Sequence, residues 1–336
     1  VLISWNTTNQ CNLYCAHCYR DAGARAQEEL STAEAKDLIA GAARAGFRLF
    51  IFSGGEPLLR PDLPELVAFA AGQGLRVVLG TNGTLLTPAL ARELLRAGVA
   101  AAGISLDSCG SEAHDRLRGM QGAWRLAVNG MEACREAGLP FQVHTTVFDW
   151  NRGELGALTE MAVALGAKAH HLFFPVPTGR AAGLADGGLK PQDYEPTLAT
   201  VLDRVPSCPI ELKPTCAPQF MRLARERQLT LPYRRGCLAG TSYCLVDPRG
   251  NVQPCAYLDL RLGNVRDVPL DRLWAENNVL ARLRAQEYRG ACGTCRYRRV
   301  CGGCRARAYA YHGDYLGEDP WCTYARGKGD QFGRHG

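Results

Sequence analysis

Three cysteines, Cys11, Cys15 and Cys18, lie in the stretch CNLYCAHCYRDAG at C-x3-C-x2-C spacing. Thiolates this close together bind metal, but zinc and most iron–sulfur sites take four protein ligands. Three can hold three irons of a [4Fe–4S] cube and leave the fourth iron open to chelate a second molecule. A zinc site completed by His17 is the bland alternative. A second group comprises Cys216, Cys237, Cys244, Cys255, Cys292, Cys295, Cys301, Cys304 and Cys322. On spacing alone, C-x2-C-x5-C-x2-C over 292–304 could be a zinc ribbon. Fifteen cysteines without a secretion signal argue against a disulfide framework. Cys109, Cys134 and Cys208 read as structural.

The elements that must position these residues alternate as in a parallel α/β fold. Strands are expected at 1–8, 48–54, 76–82, 101–107, 141–147 and 167–175, with helical stretches between them ending in glycine. Six such units make an open doubly wound sheet or a partial barrel, and both gather chemistry at the C-terminal strand ends. Polar residues sit at those ends. Strand one runs into Cys11, strand two into SGGEP, strand three into TNGT and strand four into SLDS. A glycine-rich connection (178–192) and one helix near 191–204 follow. Beyond about 208 the chain is loop-rich, with a hairpin turning at Pro248-Arg249-Gly250. A segment so poor in apolar periodicity should depend on metal for its fold.

The bulk numbers exclude little but point one way. The 336 residues carry a formal charge of +6 and are 46% hydrophobic, which is weak evidence for nucleic acid. RRG at 234–236 and RYRR at 296–299 suit a solvated face or a negatively charged small ligand. No apolar run of 18 residues and no signal peptide is legible, so the expectation is a cytoplasmic protein with neither membrane nor nucleic-acid partners.

C-x3-C-x2-C followed by G-G-E-P resembles the radical S-adenosylmethionine (SAM) superfamily, whose core is a partial (β/α)6 barrel. The resemblance implies that SAM chelates the open iron at Cys11, Cys15 and Cys18. It places Gly54, Gly55, Glu56 and Pro57 at the SAM amine, with Glu56 supplying opposite charge, and His17 against the adenine. Ser105 and Asp107 become candidates for the ribose or carboxylate, with Asn82 and His144 lining the same mouth. One electron would then cleave SAM to a 5′-deoxyadenosyl radical that abstracts hydrogen. The later cysteines resemble the SPASM extension with its auxiliary [4Fe–4S] clusters. Carried over, Cys237, Cys244, Cys255 and Cys304 would hold one, and Cys292, Cys295, Cys301 and Cys322 the other. The C-x2-C at 301–304 departs from the family's usual C-x3-C. Cys216 stays open between a buried thiol, a competing ligand and a substrate-facing thiol. The implied domains are a radical SAM barrel over 1–205 and a SPASM domain over 206–336.

Longer stretches, among them FFPVPTGRA, KPTCAPQFMR and RRGCLAGTSYC, resemble the NirJ-like enzymes of heme d1 synthesis and of the alternative, siroheme-dependent heme pathway. These enzymes alter acetate or propionate side chains of iron porphyrinoids. Arg180, Lys213, Arg222, Arg234 and Arg235 would suit the substrate carboxylates. His170, His171 or Tyr311 could reach a substrate iron, although a lone histidine is more often a fold residue. The resemblance also implies an electron donor such as ferredoxin or flavodoxin, and leaves the catalytic residue unassigned. A radical SAM peptide maturase is the second reading. Such maturases often carry an N-terminal peptide-docking module, and with ten residues given before Cys11 the expectation is a small molecule, although a docking module can be a separate protein. A non-catalytic iron–sulfur electron-transfer protein is the third.

Overall fold

The computed structural model describes residues 1–183 and 188–324. The middle of the glycine-rich connection and positions 325–336 of the expected second domain lie outside the described residues. Seven strands run in chain order across the sheet: β1 (Leu2–Asn6), β2 (Leu49–Ser53), β3 (Arg76–Thr81), β4 (Val99–Ser105), β5 (Phe141–Thr146), β6 (Ala169–Phe173) and β7 (Glu211–Thr215). All neighbouring pairs among them are parallel. On the outer edge of β1 lie β8 (Tyr243–Val246), parallel to it, then β9 (Asn251–Gln253) and β10 (Gly263–Asn264), antiparallel. The sheet is open, with β10 and β7 at its edges.

The six expected strands are all present. A seventh parallel strand, β7, is not among the six expected, because Pro214 and the brevity of ELKPT leave it without a strand signal. The sheet therefore does not end near residue 205. Both edges are built from the part of the chain expected to be a separate domain, so the cysteine-rich segment is tied into the barrel sheet.

Period-2 alternation sorts each strand into two faces. On β5, Phe141, Val143 and Thr145 are buried, while Gln142, His144 and Thr146 remain partly accessible on the concave face. The buried face carries Trp5, Phe50, Phe52, Ile104 and Val143 against the helix layer, with Leu38, Ile39, Leu66, Leu94, Met131 and Leu158 opposite. Two of the helices begin at caps that the sequence announces. Ser31 opens Thr32–Arg44 with a capping box, its hydroxyl accepting from the Glu34 N–H while Glu34 accepts from the Ser31 N–H at 2.8 Å. Thr87 caps Pro88–Ala97, which Gly98 ends in the left-handed conformation.

The same parity separates two adjacent histidines. His170 is fully buried toward the helices, held between the hydroxyls of Thr145 at 2.8 Å and Thr159 at 2.9 Å. Burial pushes its pKa down to about 3, so it is neutral and belongs to the fold. His171 faces the concave side, stacked on His144 with ring centroids 5.5 Å apart. Replacing His170 with Ala removes one partner from each of two buried hydroxyls, leaving them only the carbonyls of Leu106 and Leu155, and opens a cavity. It should cost about 2 kcal/mol or more of stability, read as a lower apparent Tm, with iron per folded chain unchanged.

Candidate active site and auxiliary metal sites

The cysteine loop follows β1 and has almost no regular structure of its own, so other elements must hold it. The first is the turn after β2. The Gly55 N–H donates to the Thr8 carbonyl at 2.8 Å and the Glu56 N–H to the Gln10 carbonyl at 2.7 Å. A Cβ on Gly55 would stand 2.2 Å from the Gln10 carbonyl oxygen, and one on Gly54, which has φ +142°, 2.7 Å from that of Thr8. Only two glycines permit this approach. Glu56 is fully buried, with its carboxylate accepting from the Thr81 hydroxyl at 2.7 Å and the N–H groups of Asn82 at 2.9 Å and Leu58 at 3.2 Å. Burial lifts its pKa to about 7 against those three donors. The carboxylate expected at the SAM amine is thus turned into the β3 turn. Asn82 in turn donates its side-chain amide to Asn12 at 2.9 Å, inside the cysteine loop.

The second support comes from the β4 end. Asp107 is fully buried and takes both Nε and Nη2 of Arg118, at 2.7 and 2.6 Å, with the Thr146 N–H at 2.9 Å on its other oxygen. Burial opposes ionisation of Asp107, but the Arg118 charge outweighs it and holds the carboxyl below its usual range. Asp107 is therefore an anchor for Arg118 rather than a free ribose ligand. Arg118 Nη1 lies 3.9 Å from Cys15 Sγ, and Leu117 and Arg118 offer their carbonyls to the N–H groups of Ala16 and Tyr14. Sequence reasoning missed Arg118 because it missed its helix, Ser111–Arg118; a left-handed Gly119 after a basic last turn was the available signal.

The third support is Arg180. Its Nε donates to the Cys15 carbonyl at 2.8 Å, and its Nη1 to Asp21 at 2.7 Å and to the Ala22 carbonyl at 2.9 Å. The Tyr14 ring lies 4.0 Å away. Expected as a substrate ligand, it clamps the cysteine loop instead. Arg222 is ion-paired to Glu195 at 2.5 Å and Glu226 at 2.9 Å, although its Nε, like that of Arg235, is buried without a hydrogen-bond partner. Two of the expected cations differ. Lys213 is part-buried over the Tyr233 ring at 4.5 Å with no ion pair among the described residues, and burial lowers its pKa. Arg235 has Nε and Nη2 buried with no hydrogen-bond partner. Arg234 is exposed.

His17 is packed edge-on to Phe148 at 5.7 Å, and its Nδ1 is buried without a partner. Burial pushes its pKa to about 3, so the ring is neutral. Ser105 lies at the β4 end opposite His144 in register. His144 lies deeper, over Gly103, where a Cβ would come within 2.4 Å of its Cε1. The Asn6 side-chain amide and the hydroxyls of Thr178 and Thr215 are also buried without partners. Asn6 accepts from the Tyr19 hydroxyl at 3.0 Å, and the Tyr19 ring lies 5.1 Å from that of Tyr257. Tyr257 in turn neighbours Cys216 and Cys255. Orphaned polar atoms thus run from the first cysteine loop toward the second group, as a site that takes a ligand requires.

The later cysteines fall into two sets. Cys216 has Cys255, Cys304 and Cys237 as electrostatic neighbours, and Cys255 has Cys237 and Cys304. Cys216 holds φ +58°, a left-handed conformation rare for cysteine. Cys244 is elsewhere: it sits on β8, paired with Ile3 of β1 and fully buried, with Arg284 its charged neighbour. The expected ligand is thus a core residue of the sheet, and Cys216 stands with the other three sulfurs. Cys292, Cys295, Cys301 and Cys322 line one cavity of about 120 Å3. Among the described residues no three His, Cys, Asp or Glu side chains converge tightly enough for a single metal ion.

Comparison with known proteins agrees with this geometry. The Radical SAM superfamily matches residues 5–162, and the SPASM iron–sulfur cluster-binding domain matches 237–304. The chain is 44% identical to the AdoMet-dependent heme synthase of Methanosarcina barkeri over 97% of both chains. It is 41% identical to that of Nitratidesulfovibrio vulgaris, covering 96% of this chain and 92% of that one. In fold it matches Streptococcus suis SuiB bound to S-adenosylmethionine, with a TM-score of 0.76 at 14% identity over 96% of this chain and 77% of that one. Cys216→Ala should lose about four irons, one cube, whereas Cys244→Ala should keep its iron and lose only thermal stability; iron and sulfide analysis of anaerobic protein checks both. The chain belongs to the radical SAM superfamily, in the branch that carries a SPASM iron–sulfur domain.

Proposed function

We propose that this radical SAM enzyme modifies the acetate or propionate side chains of a siroheme-derived tetrapyrrole on the route to heme. The observation that carries the reading is identity above 40% with AdoMet-dependent heme synthases along nearly the whole chain. A peptide maturase is the less favoured reading, since the maturases that match as much of the chain do so at 30% identity. No described helix is long and apolar enough to cross a membrane. A cytoplasmic ferredoxin or flavodoxin would supply the electron.

The site residues fit the cofactors. Cys11, Cys15 and Cys18 would hold the SAM-binding cluster, and the unpartnered Nδ1 of His17 would meet the adenine. Cys216, Cys237, Cys255 and Cys304 would hold one auxiliary cluster; Cys292, Cys295, Cys301 and Cys322 the other. Cluster and SAM together supply hydrogen abstraction by one-electron chemistry. The protein's own contribution is position and charge. Tyr19 and Tyr257 form an aromatic wall between the first cysteine loop and Cys216, suited to a flat macrocycle. Lys213 and Arg235 are the cations left to pair with its carboxylates, and Asn6, Thr178 and Thr215 add unpartnered hydrogen-bonding groups beside that wall. His171, stacked on His144 and 3.3 Å from Glu211, is the histidine of the adjacent pair that faces the concave side.

Substrate charge gives the test. A lost charge-assisted pair costs about 1.5–3 kcal/mol, so Lys213→Met and Arg235→Met should each weaken tetrapyrrole binding about tenfold or more. Both should keep their iron and their uncoupled SAM cleavage. Arg180→Met should instead reduce iron at the first site, because Arg180 holds the loop. The Soret band, titrated with an iron porphyrinoid bearing several carboxylates, reads the binding. No saturable shift in iron-replete protein would move the assignment to a peptide, and no 5′-deoxyadenosine at all would leave an electron-transfer protein.

A further inference from the structure

We propose that Arg305 raises the reduction potential of the auxiliary clusters, acting as a buried cation that stands between the two cysteine sets with no carboxylate of its own. The inference rests on the two-cluster reading above. Arg305 is fully buried. Its Nη2 donates to Cys292 Sγ at 3.4 Å, its Nη1 to the carbonyls of Gly317 at 2.6 Å and Tyr315 at 3.3 Å, and its Nε to that of Gly303 at 3.2 Å. The Tyr288 ring lies 4.3 Å away. Cys292 belongs to one set, and the charge also reaches Cys237 of the other.

Among the described residues, no acid neutralises this cation by contact. Asp319, the nearby carboxylate, takes the second buried arginine, Arg307, at 2.9 and 3.1 Å, together with the Gln219 amide at 2.8 Å and the Cys304 N–H at 2.7 Å. Two buried guanidiniums against one carboxylate leave a surplus positive charge, which is costly in an apolar interior unless something anionic offsets it. Four thiolates around a cube supply that anion, a dianion when oxidised and a trianion when reduced. Gly303 makes the contact possible. It has φ +60°, and a Cβ there would stand 2.5 Å from Arg305 Nη2 and 2.9 Å from Cys292 Sγ.

A fixed cation beside the sulfurs favours the more negative state. Reduction adds one electron from an external donor and moves no proton or bond, so the whole effect of Arg305 falls on the midpoint potential. It should be strongest at the Cys292 set and weaker at the Cys237 set.

The test uses full-length protein with Cys11, Cys15 and Cys18 changed to Ala, so that only auxiliary clusters contribute. A parent with far fewer than about eight irons, four per cube, would sink the two-cluster reading before Arg305 is touched. In a loaded parent, Arg305→Met and Arg305→Lys are titrated with dithionite and followed by electron paramagnetic resonance. Iron-replete Arg305→Met should titrate lower by at least a tenfold change in the reduced-to-oxidised ratio, about 59 mV for one electron. Arg305→Lys should recover most of that shift. An unchanged midpoint in iron-replete Arg305→Met overturns the proposal. If the Met variant does not hold iron, the Lys variant decides. Loading with a near-parental midpoint supports the charge role, and equal failure to load assigns Arg305 to packing and overturns it.

Discussion

The close backbone approach between Gly54-Gly55 and Thr8–Gln10 is the contact on which the rest of the active site depends. Cys11, Cys15 and Cys18 lie in a loop that carries no helix or strand, and a cube demands that three sulfurs hold fixed positions. Two N–H···O bonds from the β2 turn pin the start of that loop where a side chain of any size would push it away. The register of β1 on β2, Asn6 opposite Ser53, brings the two turns to the same level. The burial of Glu56 follows from the same contact. Once the turn is pressed against the loop, its carboxylate has no water and must take the donors that β3 offers.

Buried and part-buried arginines form the next layer of the design. Arg118 links Asp107 to Cys15, Arg180 ties carbonyls of the cysteine loop to its own segment, and Arg305 and Arg307 flank Cys304 at the start of the helix Arg305–His312. Each guanidinium offers several donors in a rigid fork, so one side chain can satisfy several loop carbonyls and still face a sulfur. Loops that hold clusters have many such carbonyls and few ladder partners. Part of the chain's modest positive charge is thus spent inside, opposite the thiolates.

What was legible in the sequence was whatever repeats or has a fixed spacing. The six parallel strands, their glycine-terminated helices and the hairpin at 248–250 follow from periodicity and turn residues, and the structure has them. The roles of single polar residues were harder to read, because they depend on what lies opposite in space. Asp107 at the end of a strand looks the same in sequence whether it faces a ribose or Arg118. Arg180 and Arg235 are indistinguishable by type, yet one is saturated by carbonyls and the other has buried nitrogens without partners. Cys244 was misjudged because it shares a hairpin strand with true loop residues. Strand parity points it at Ile3 and into the core.

Cys216 shows how the second half is joined to the first. It directly follows β7, the strand with no signal in the sequence, so the barrel sheet itself delivers one sulfur to the set that includes Cys237, Cys255 and Cys304. A left-handed cysteine costs about 1–3 kcal/mol of backbone strain, which persists only where something holds it. Within the protein, the Cys216 carbonyl accepts from Arg307, which is fixed in turn by Asp319. A cube at that set would close loops from the edge of the barrel to the helix at Arg305, a separation that limits the unfolded chain far more than a local clip would. Metal loading and ordering of the space proposed for substrate would then be one event, because Tyr257 and Thr215 are each within two residues of a cysteine of that set.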